Sequence, residues 1–345
     1  MLQKKQRWKG QRDGFKDSLA YMLGRMKGEI KSIKTPWVSW NNASTDGLEW
    51  HSTTVIGGRP GTGKTLVKDQ LISESFRLNP GDDHRVLEFQ FEMLARNSAI
   101  REYSRVTELS YKHLCSADGK LTEETLNKCY AYAKERVKYP IDVVEEPCTV
   151  NDFIEIIKDY MDIHATTETV RQTTEVDGKP VEKNVVIKVY KKTIITLDHS
   201  LLLKKASHEK DKYDTLYSLG EALTGLKRVY PIAFIILSQL SRGIDSPERN
   251  EDGKAGNYIL TSDIFGADAL LQHADLLIGL NKPGERNIRF YGPERYIIEN
   301  RDILIAHFLK CRNGEICLAF FQSEFNKMRI TEISPLAKQE RRIKT

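Results

Sequence analysis

A chain of 345 residues, 40% hydrophobic and 29% charged, has the apolar content for a core and suits one large domain or two small ones. No run approaches the ~20 apolar residues of a membrane span, the opening MLQKKQRWKGQRDG lacks the apolar region of a signal peptide, and the five cysteines are scattered with no CxxC pair; a cytoplasmic protein with reduced thiols, no disulfide framework and no structural zinc is the expectation. A net charge of +5 is too mild for a globally basic surface, so any nucleic-acid binding must come from local basic loops.

The first predicted element is a helix. Phe15, Leu19, Met22, Leu23, Met26 and Ile30 recur at spacings of three and four, giving one apolar stripe within residues 1–32, behind a basic tail. That stripe must pack on the chain's own core or on a neighbouring copy.

Next comes TTVIGGRPGTGKTLVKDQLI, residues 53–72. Val55 and Ile56 close a short strand, while Leu66, Val67 and Leu71 open an amphipathic helix. Between them Gly58, Arg59, Pro60, Gly61, Thr62, Gly63, Lys64 and Thr65 form a P-loop in the strand-loop-helix setting it requires. The three glycines let backbone amides line an anion nest at the helix N-terminus. Lys64 is placed to reach the β- and γ-phosphates and the Thr65 hydroxyl to bind Mg²⁺, so ATP and Mg²⁺ are the expected cofactors.

Apolar runs at 86–91, 141–144, 193–197, 232–237 and 276–280 alternate with helical segments. The alternation predicts an α/β fold, a mostly parallel sheet wrapped by helices. Ligands in such sheets sit at the carboxyl ends of the strands, which singles out Glu92, Asp198 and Gln239. Asp198 has the Walker B pattern, an acid on a stiff buried strand where it can bind Mg²⁺. Glu92 suits the orientation and deprotonation of an attacking water, with Glu88 as a nearby competitor. Gln239 either senses the γ-phosphate or makes an ordinary strand-end hydrogen bond.

Residues 166–192 predict a solvated hairpin turning at Asp177-Gly178. After Asp198, LLLKKASHEKDKYD carries Lys204, Lys205, Lys210 and Lys212; after Gln239, SRGIDSPERNEDGKAGNY carries Arg242, Arg249 and Lys254. Such side chains attract backbone phosphates without reading sequence, and Tyr213 and Tyr258 are available to stack on bases. Both loops also carry acids, which leaves the reading of a solvated loop open. Finally, ILIAHFLKCRNGEICLAFF predicts two strands joined at Asn313-Gly314, with Lys310 and Arg312 on one face and Cys311 on the other. Arg312 then stands at the tip of a stiff projection, unless the two are merely solvated charges on a hairpin edge. Residues 336–345 form a basic tail.

Taken together, GGRPGTGKT, FQFEM, IITLDHSLLL, ILSQLSR and FLKCRNGEICLAFFQSEFNKM resemble, in order and near spacing, the motifs of the RecA-like ATPase domain of DnaB-type replicative DNA helicases. The resemblance implies a RecA-like P-loop domain over residues 33–335, working as a hexameric ring that binds ATP between subunits, moves along single-stranded DNA and unwinds duplex during replication. It implies Glu92 as the catalytic glutamate, Asp198 as the Walker B acid, Gln239 as the sensor, and Lys310 with Arg312 as the pair that reaches the next subunit's γ-phosphate.

This sequence departs from the family in places. Only about fifty residues precede the P-loop, so no primase-binding collar is expected and no primase contact is carried over. His199 replaces a usual tyrosine, TSDIFGADALLQHADLLIGL lacks an arginine-glutamate-serine-glycine stretch, and the 166–192 hairpin is an insertion. A RecA- or KaiC-like ATPase without unwinding activity, and a binding protein that uses ATP as an assembly switch, are the rival readings.

Overall fold

A computed structural model describes residues 10–176, 179–249 and 258–339. Its chain opens with α1 (Gln11–Met26) and α2 (Val38–Ala43), then β1 (Ser52–Gly58), α3 (Lys64–Leu78), β2 (His84–Gln90), α4 (Ala95–Thr107), α5 (Tyr111–Cys115), α6 (Glu123–Arg136), β3 (Ile141–Val144) and α7 (Val150–Ile163). A long hairpin, β4 (Thr166–Val176) and β5 (Lys179–Val189), leads into β6 (Lys192–Asp198), α8 (Lys212–Val229), β7 (Ile232–Gln239), α9 (Ala267–His273) and β8 (Leu276–Asn281). The short β9 (Phe290–Tyr291) and β10 (Tyr296–Ile297) precede β11 (Ile303–Cys311), β12 (Leu318–Glu324) and β13 (Arg329–Ile333).

Successive side chains of a strand point to opposite faces, and the central strands use both. Val55, Ile195 and Phe234 enter one core with Phe153 and Ile157 of α7 and Leu219 and Leu223 of α8. Their neighbours Ile56, Ile194 and Ile235 enter the other, with Leu71 and Ile72 of α3 and the ring of Trp40 in α2. Strands buried on both faces read as unbroken apolar runs, as β2, β6, β7 and β8 do, and each predicted run, the half-exposed edge strand β3 included, falls within an observed strand or overlaps most of it. The nine-stranded sheet has the order β13-β12-β11-β8-β1-β7-β6-β2-β3. From β8 to β3 every pairing is parallel, and β11, β12 and β13 add on antiparallel. The expected α/β architecture is therefore present, with all parallel strands ending on one edge.

Two local expectations are altered. The N-terminal helix stops at Met26, because Gly28 turns with φ +72°, so Ile30 leaves the stripe. It folds back over Gly24, where a Cβ would come within 2.7 Å of its Cδ1. The remaining stripe residues, Phe15, Leu19, Met22, Leu23 and Met26, are 46% to 78% exposed. The second alteration concerns Asn313-Gly314, which is not a two-residue hairpin turn: pairing of β11 with β12 ends at His307↔Leu318, and neither residue has the positive φ of a type I′ turn. The Gly314 position is dictated by packing, since a Cβ there would lie 2.0 Å from the Ala43 carbonyl oxygen at the end of α2. The expected hairpin at 166–192 is present as β4–β5, paired antiparallel up to Val176↔Lys179, and its predicted turn residues Asp177 and Gly178 lie outside the described residues. All five thiols are unpaired, and no described helix is long and apolar enough to cross a membrane.

Candidate nucleotide site

The P-loop joins the end of β1 to the start of α3. Gly61 (φ +80°) and Gly63 (φ +91°) take left-handed backbone, which turns the loop amides toward the helix N-terminus. Gly63 has a second reason to lack a side chain, because a Cβ there would lie 2.9 Å from Cζ of Phe325. Thr62 Oγ1 donates to the Arg59 carbonyl at 2.8 Å, and Lys64 Nζ donates to the carbonyls of Gly58 (2.9 Å) and Arg59 (3.2 Å). Arg59 points out of the loop: its Nε pairs with Asp245 at 2.7 Å, and Asp245 also pairs with Arg286.

β7, β6 and β2 lie in that order beside β1 and deliver their carboxyl ends to the same edge. Gln239 sits opposite Gly58 in register, Asp198 ends β6 almost fully buried, and Glu92 follows β2 by two residues. Thr65 Oγ1 stands 3.4 Å from Asp198 Oδ1. A cleft of about 340 Å³ is lined by Gly61, Gly63, Lys64, Thr65, Glu92, Asp198 and Gln239, so the sequence-predicted groups of the nucleotide site come together. Hydroxyl and carboxylate oxygens side by side suit Mg²⁺, which takes one or two protein oxygens and completes its shell with phosphate oxygens and water. No group of three or more His, Cys, Asp or Glu side chains able to hold a metal occurs among the described residues. Burial lowers the Lys64 pKa from its usual value, against the opposing pull of Asp198 and Glu92.

Glu88 is placed elsewhere. It is buried and holds Lys68 Nζ at 2.6 Å while accepting from Gln90 Nε2 at 3.0 Å. Burial alone would depress the Lys68 pKa, but the carboxylates of Asp69 and Glu88 outweigh it and keep the ammonium charged. Glu88 therefore serves the core, whereas Glu92 faces the cleft. Two variants separate them. Glu88→Gln is expected to lower stability by about 3 kcal/mol, seen as a lower thermal midpoint. Glu92→Gln is expected to keep the midpoint, bind ATP with Mg²⁺ and slow hydrolysis about 10²- to 10⁴-fold. Unchanged turnover in Glu92→Gln would hand the water-activating role to another group.

Six lining residues were not among the predicted site residues: Leu66, Met93, Arg101 of α4, His199, Phe325 and Met328. His199 has a left-handed backbone (φ +72°), and its Nε2 lies 2.6 Å from Gln239 Nε2. A neutral ring unprotonated at Nε2 accepts that amide hydrogen and fixes the Gln239 side chain. Phe325 and Met328 arrive from the β12–β13 turn, with Lys282 Nζ 4.0 Å over the Phe325 ring. The motif FQSEFNKM was the available signal, but its contact with the P-loop depends on closure of the antiparallel strands.

Lys310 and Arg312 are absent from this cleft. β11 runs antiparallel to β8, so its end lies at the amino edge of the parallel strands, where Lys310 opposes Leu277. Arg312 pairs with Asp275 at 3.3 Å, and Asp275 bonds to Thr53 at the start of β1. Five residues of strand, roughly 17 Å, separate Thr53 from Gly58. Cys311 faces the other way and donates to the Ala43 carbonyl at 2.8 Å, as the alternation predicts.

Both candidate DNA loops leave the P-loop edge. Lys204, Lys205, Lys210, Lys212 and Arg242 are exposed. Arg249 is instead used internally, paired with Asp263 and donating to the Tyr258 carbonyl at 2.9 Å. Lys254 lies outside the described residues. Tyr213 is half exposed and stacks on Phe265, whereas Tyr258 packs on His307 with ring centroids 4.5 Å apart and is no open platform. A larger groove, about 890 Å³, is on the opposite edge beside Lys191 and Lys192, which pair with Asp83 and Asp82. It has no P-loop group, and the smaller cleft is the one equipped for a triphosphate.

Comparison with known proteins agrees with this arrangement. Over 256 residues, 73% of the chain, it is 25% identical to the replicative DNA helicase DnaB of Helicobacter pylori strain 26695, and it covers 44% of that protein. A DNA helicase/primase of Enterobacteria phage T3 is 26% identical over 135 residues, 39% of this chain and 21% of its own length. The chain thus spans less than half the length of these curated relatives. Among solved structures, an ATPase domain superposes with a TM-score of 0.72 over 95% of this chain and 100% of its own, at 16% identity. A DnaB-like replicative helicase described with its primase interactions gives 0.68 over 92% of this chain and 66% of its own, at 17% identity. The model of the DnaB-like helicase C-terminal domain matches residues 33–330, and the chain belongs to that family.

Proposed function

We propose that the chain is the motor of a ring-forming, ATP-dependent DNA helicase that moves along single-stranded DNA and opens duplex ahead of it. One observation carries the reading: the cleft of Lys64, Thr65, Glu92, Asp198 and Gln239 lies on one edge of the sheet, while Lys310 and Arg312 lie on the other. A chain built this way completes its phosphate site only when a second copy brings its Arg312 edge to the first copy's P-loop edge. In such a ring ATP with Mg²⁺ binds between subunits, and the exposed lysines after β6 with Arg242 after β7 supply sequence-independent contacts to the DNA backbone.

The test is strand displacement on a forked duplex with ATP, with Lys64→Ala as the inactive control. DNA-stimulated hydrolysis without displacement would favour the RecA- or KaiC-like reading. ATP-dependent assembly with neither would favour the switch.

Two unpartnered apolar stripes support self-assembly. One is the α1 stripe; the other is Leu126 and Tyr130 of α6 with Val137 just beyond its end. Burying such side chains is worth ~1.5–3 kcal/mol each, and a ring of identical copies offers each stripe a partner. Deletion of residues 1–31 is expected to turn hexamers into monomers or open assemblies in mass photometry. An unchanged hexamer would show that the helix contributes nothing to the interface.

A further inference from the structure

Asp275 stands one residue before β8, far from the P-loop cleft, and it is fixed from two sides. Its Oδ2 accepts the Thr53 N–H at 2.8 Å and pairs with the Lys227 ammonium, while its own N–H donates to the Thr53 carbonyl at 2.8 Å. These bonds bolt the carboxylate to β1 and α8. The other oxygen, Oδ1, faces Arg312 Nε at 3.3 Å, and the Asp275 carbonyl accepts the Arg312 N–H at 2.9 Å. A carboxylate oxygen that meets a guanidinium at Nε takes one of its five donors, and the Nη–H bonds at the far end of the fork point away from it. The Arg312 side chain is 54% exposed. Lys310, also close enough to feel both charges, is tied separately to the Leu271 carbonyl at 2.5 Å.

Resting on the reading of Arg312 as a group that acts on a neighbour's γ-phosphate, we propose that Asp275 is its positioning residue, a bolted carboxylate that holds the guanidinium by Nε with its Nη fork turned outward. It does a second thing as well. Lys227, Lys310 and Arg312 gather around it, and without its charge they repel one another, driving Arg312 off the edge where the partner's phosphate would meet it. Pre-aligning a planar donor matters because a displacement of about 1 Å at a reacting centre costs on the order of 10²-fold in rate.

The test uses the full chain and mixed rings. Asp275→Asn keeps an oxygen for the Thr53 amide and removes the charge. The kcat for ATP is expected to fall about 10- to 100-fold while KM stays within about 3-fold. Rings mixing Asp275→Asn with Lys64→Ala subunits are expected to regain turnover, because some interfaces pair an intact P-loop with an intact finger. Rings mixing Asp275→Asn with Arg312→Ala are expected to rise no higher than Asp275→Asn alone, since both lesions lie on the same side of the interface. A purely structural role would leave both mixtures inactive, and recovery in both would place Asp275 elsewhere in the cycle; either result overturns the assignment. Asp275→Glu keeps the charge that Lys227 needs and moves the carboxylate by one methylene, so it reports the same pattern should the asparagine variant fail to fold. If Arg312→Ala with Lys64→Ala itself shows no recovery, the shared site falls and the inference with it. If that control recovers but Asp275→Asn turns over normally, only the role of Asp275 falls.

Discussion

Lys64→Ala is expected to remove ATP turnover, by on the order of 10³-fold or more, while leaving the fold intact. Lys64 opens α3 with its ammonium on the Gly58 and Arg59 carbonyls, and in the cleft it faces Asp198 and Glu92. Among the described residues no other lysine lines that cleft, and its one arginine, Arg101, comes from α4 rather than from the P-loop. Alanine is the best helix former and the lost contacts are local, so the thermal midpoint should hardly move. There is also a pH signature. Burial places the Lys64 pKa below the usual lysine value, so in the free protein the ammonium is lost as pH rises through that lowered value. Nucleotide affinity should therefore weaken at a lower pH than an exposed lysine would give, and the limb should be missing from Lys64→Ala in a titration with fluorescent nucleotide. Wild-type turnover in the variant would overturn the reading of the P-loop.

What could be read from sequence was what one strand and its next turn determine. The P-loop, Asp198 and Gln239 follow apolar runs directly, so a strand buried on both faces delivers them to the carboxyl edge with no further information. Glu92 and Glu88 are different. Both follow from the same strand, and only the partner that buries Glu88, Lys68 on α3, separates them. Two of the residues missed come from a distant part of the chain: Phe325 and Met328 reach the cleft from the turn between β12 and β13, which β11 joins to the parallel strands.

Turn chemistry misled where tertiary packing took over. Asn313-Gly314 is the usual two-residue hairpin signal, yet the glycine is needed for close approach to the Ala43 carbonyl. Among the loop cations, the sequence could not distinguish Arg242, which is exposed, from Arg249, which Asp263 holds inside the loop. Charge alone sets the attraction for phosphate, but the nearest carboxylate decides whether that charge is available.

The edge-to-edge separation of the two halves of the phosphate site leads to the second large effect. Arg312→Ala is expected to lower ATP hydrolysis by about 10³- to 10⁵-fold, the range seen for arginines supplied in trans, with nucleotide binding retained because the variant's own cleft is untouched. Arg312→Lys should recover less than about 10-fold of that loss: an ammonium has no Nε for Asp275 to hold and no planar fork for the γ-phosphoryl oxygens. Since roughly 17 Å of strand lies between Thr53, beside Asp275, and the P-loop of the same subunit, the loss cannot be an effect within one cleft. Subunits of Arg312→Ala and of Lys64→Ala, each inactive alone, should therefore recover part of the activity when mixed, in proportion to the interfaces that pair an intact P-loop with an intact arginine. Rings shown by mass to be mixed and yet inactive, or near-normal turnover by Arg312→Ala alone, would show that the site is not shared and would return Lys310 and Arg312 to the role of solvated charges on a sheet edge.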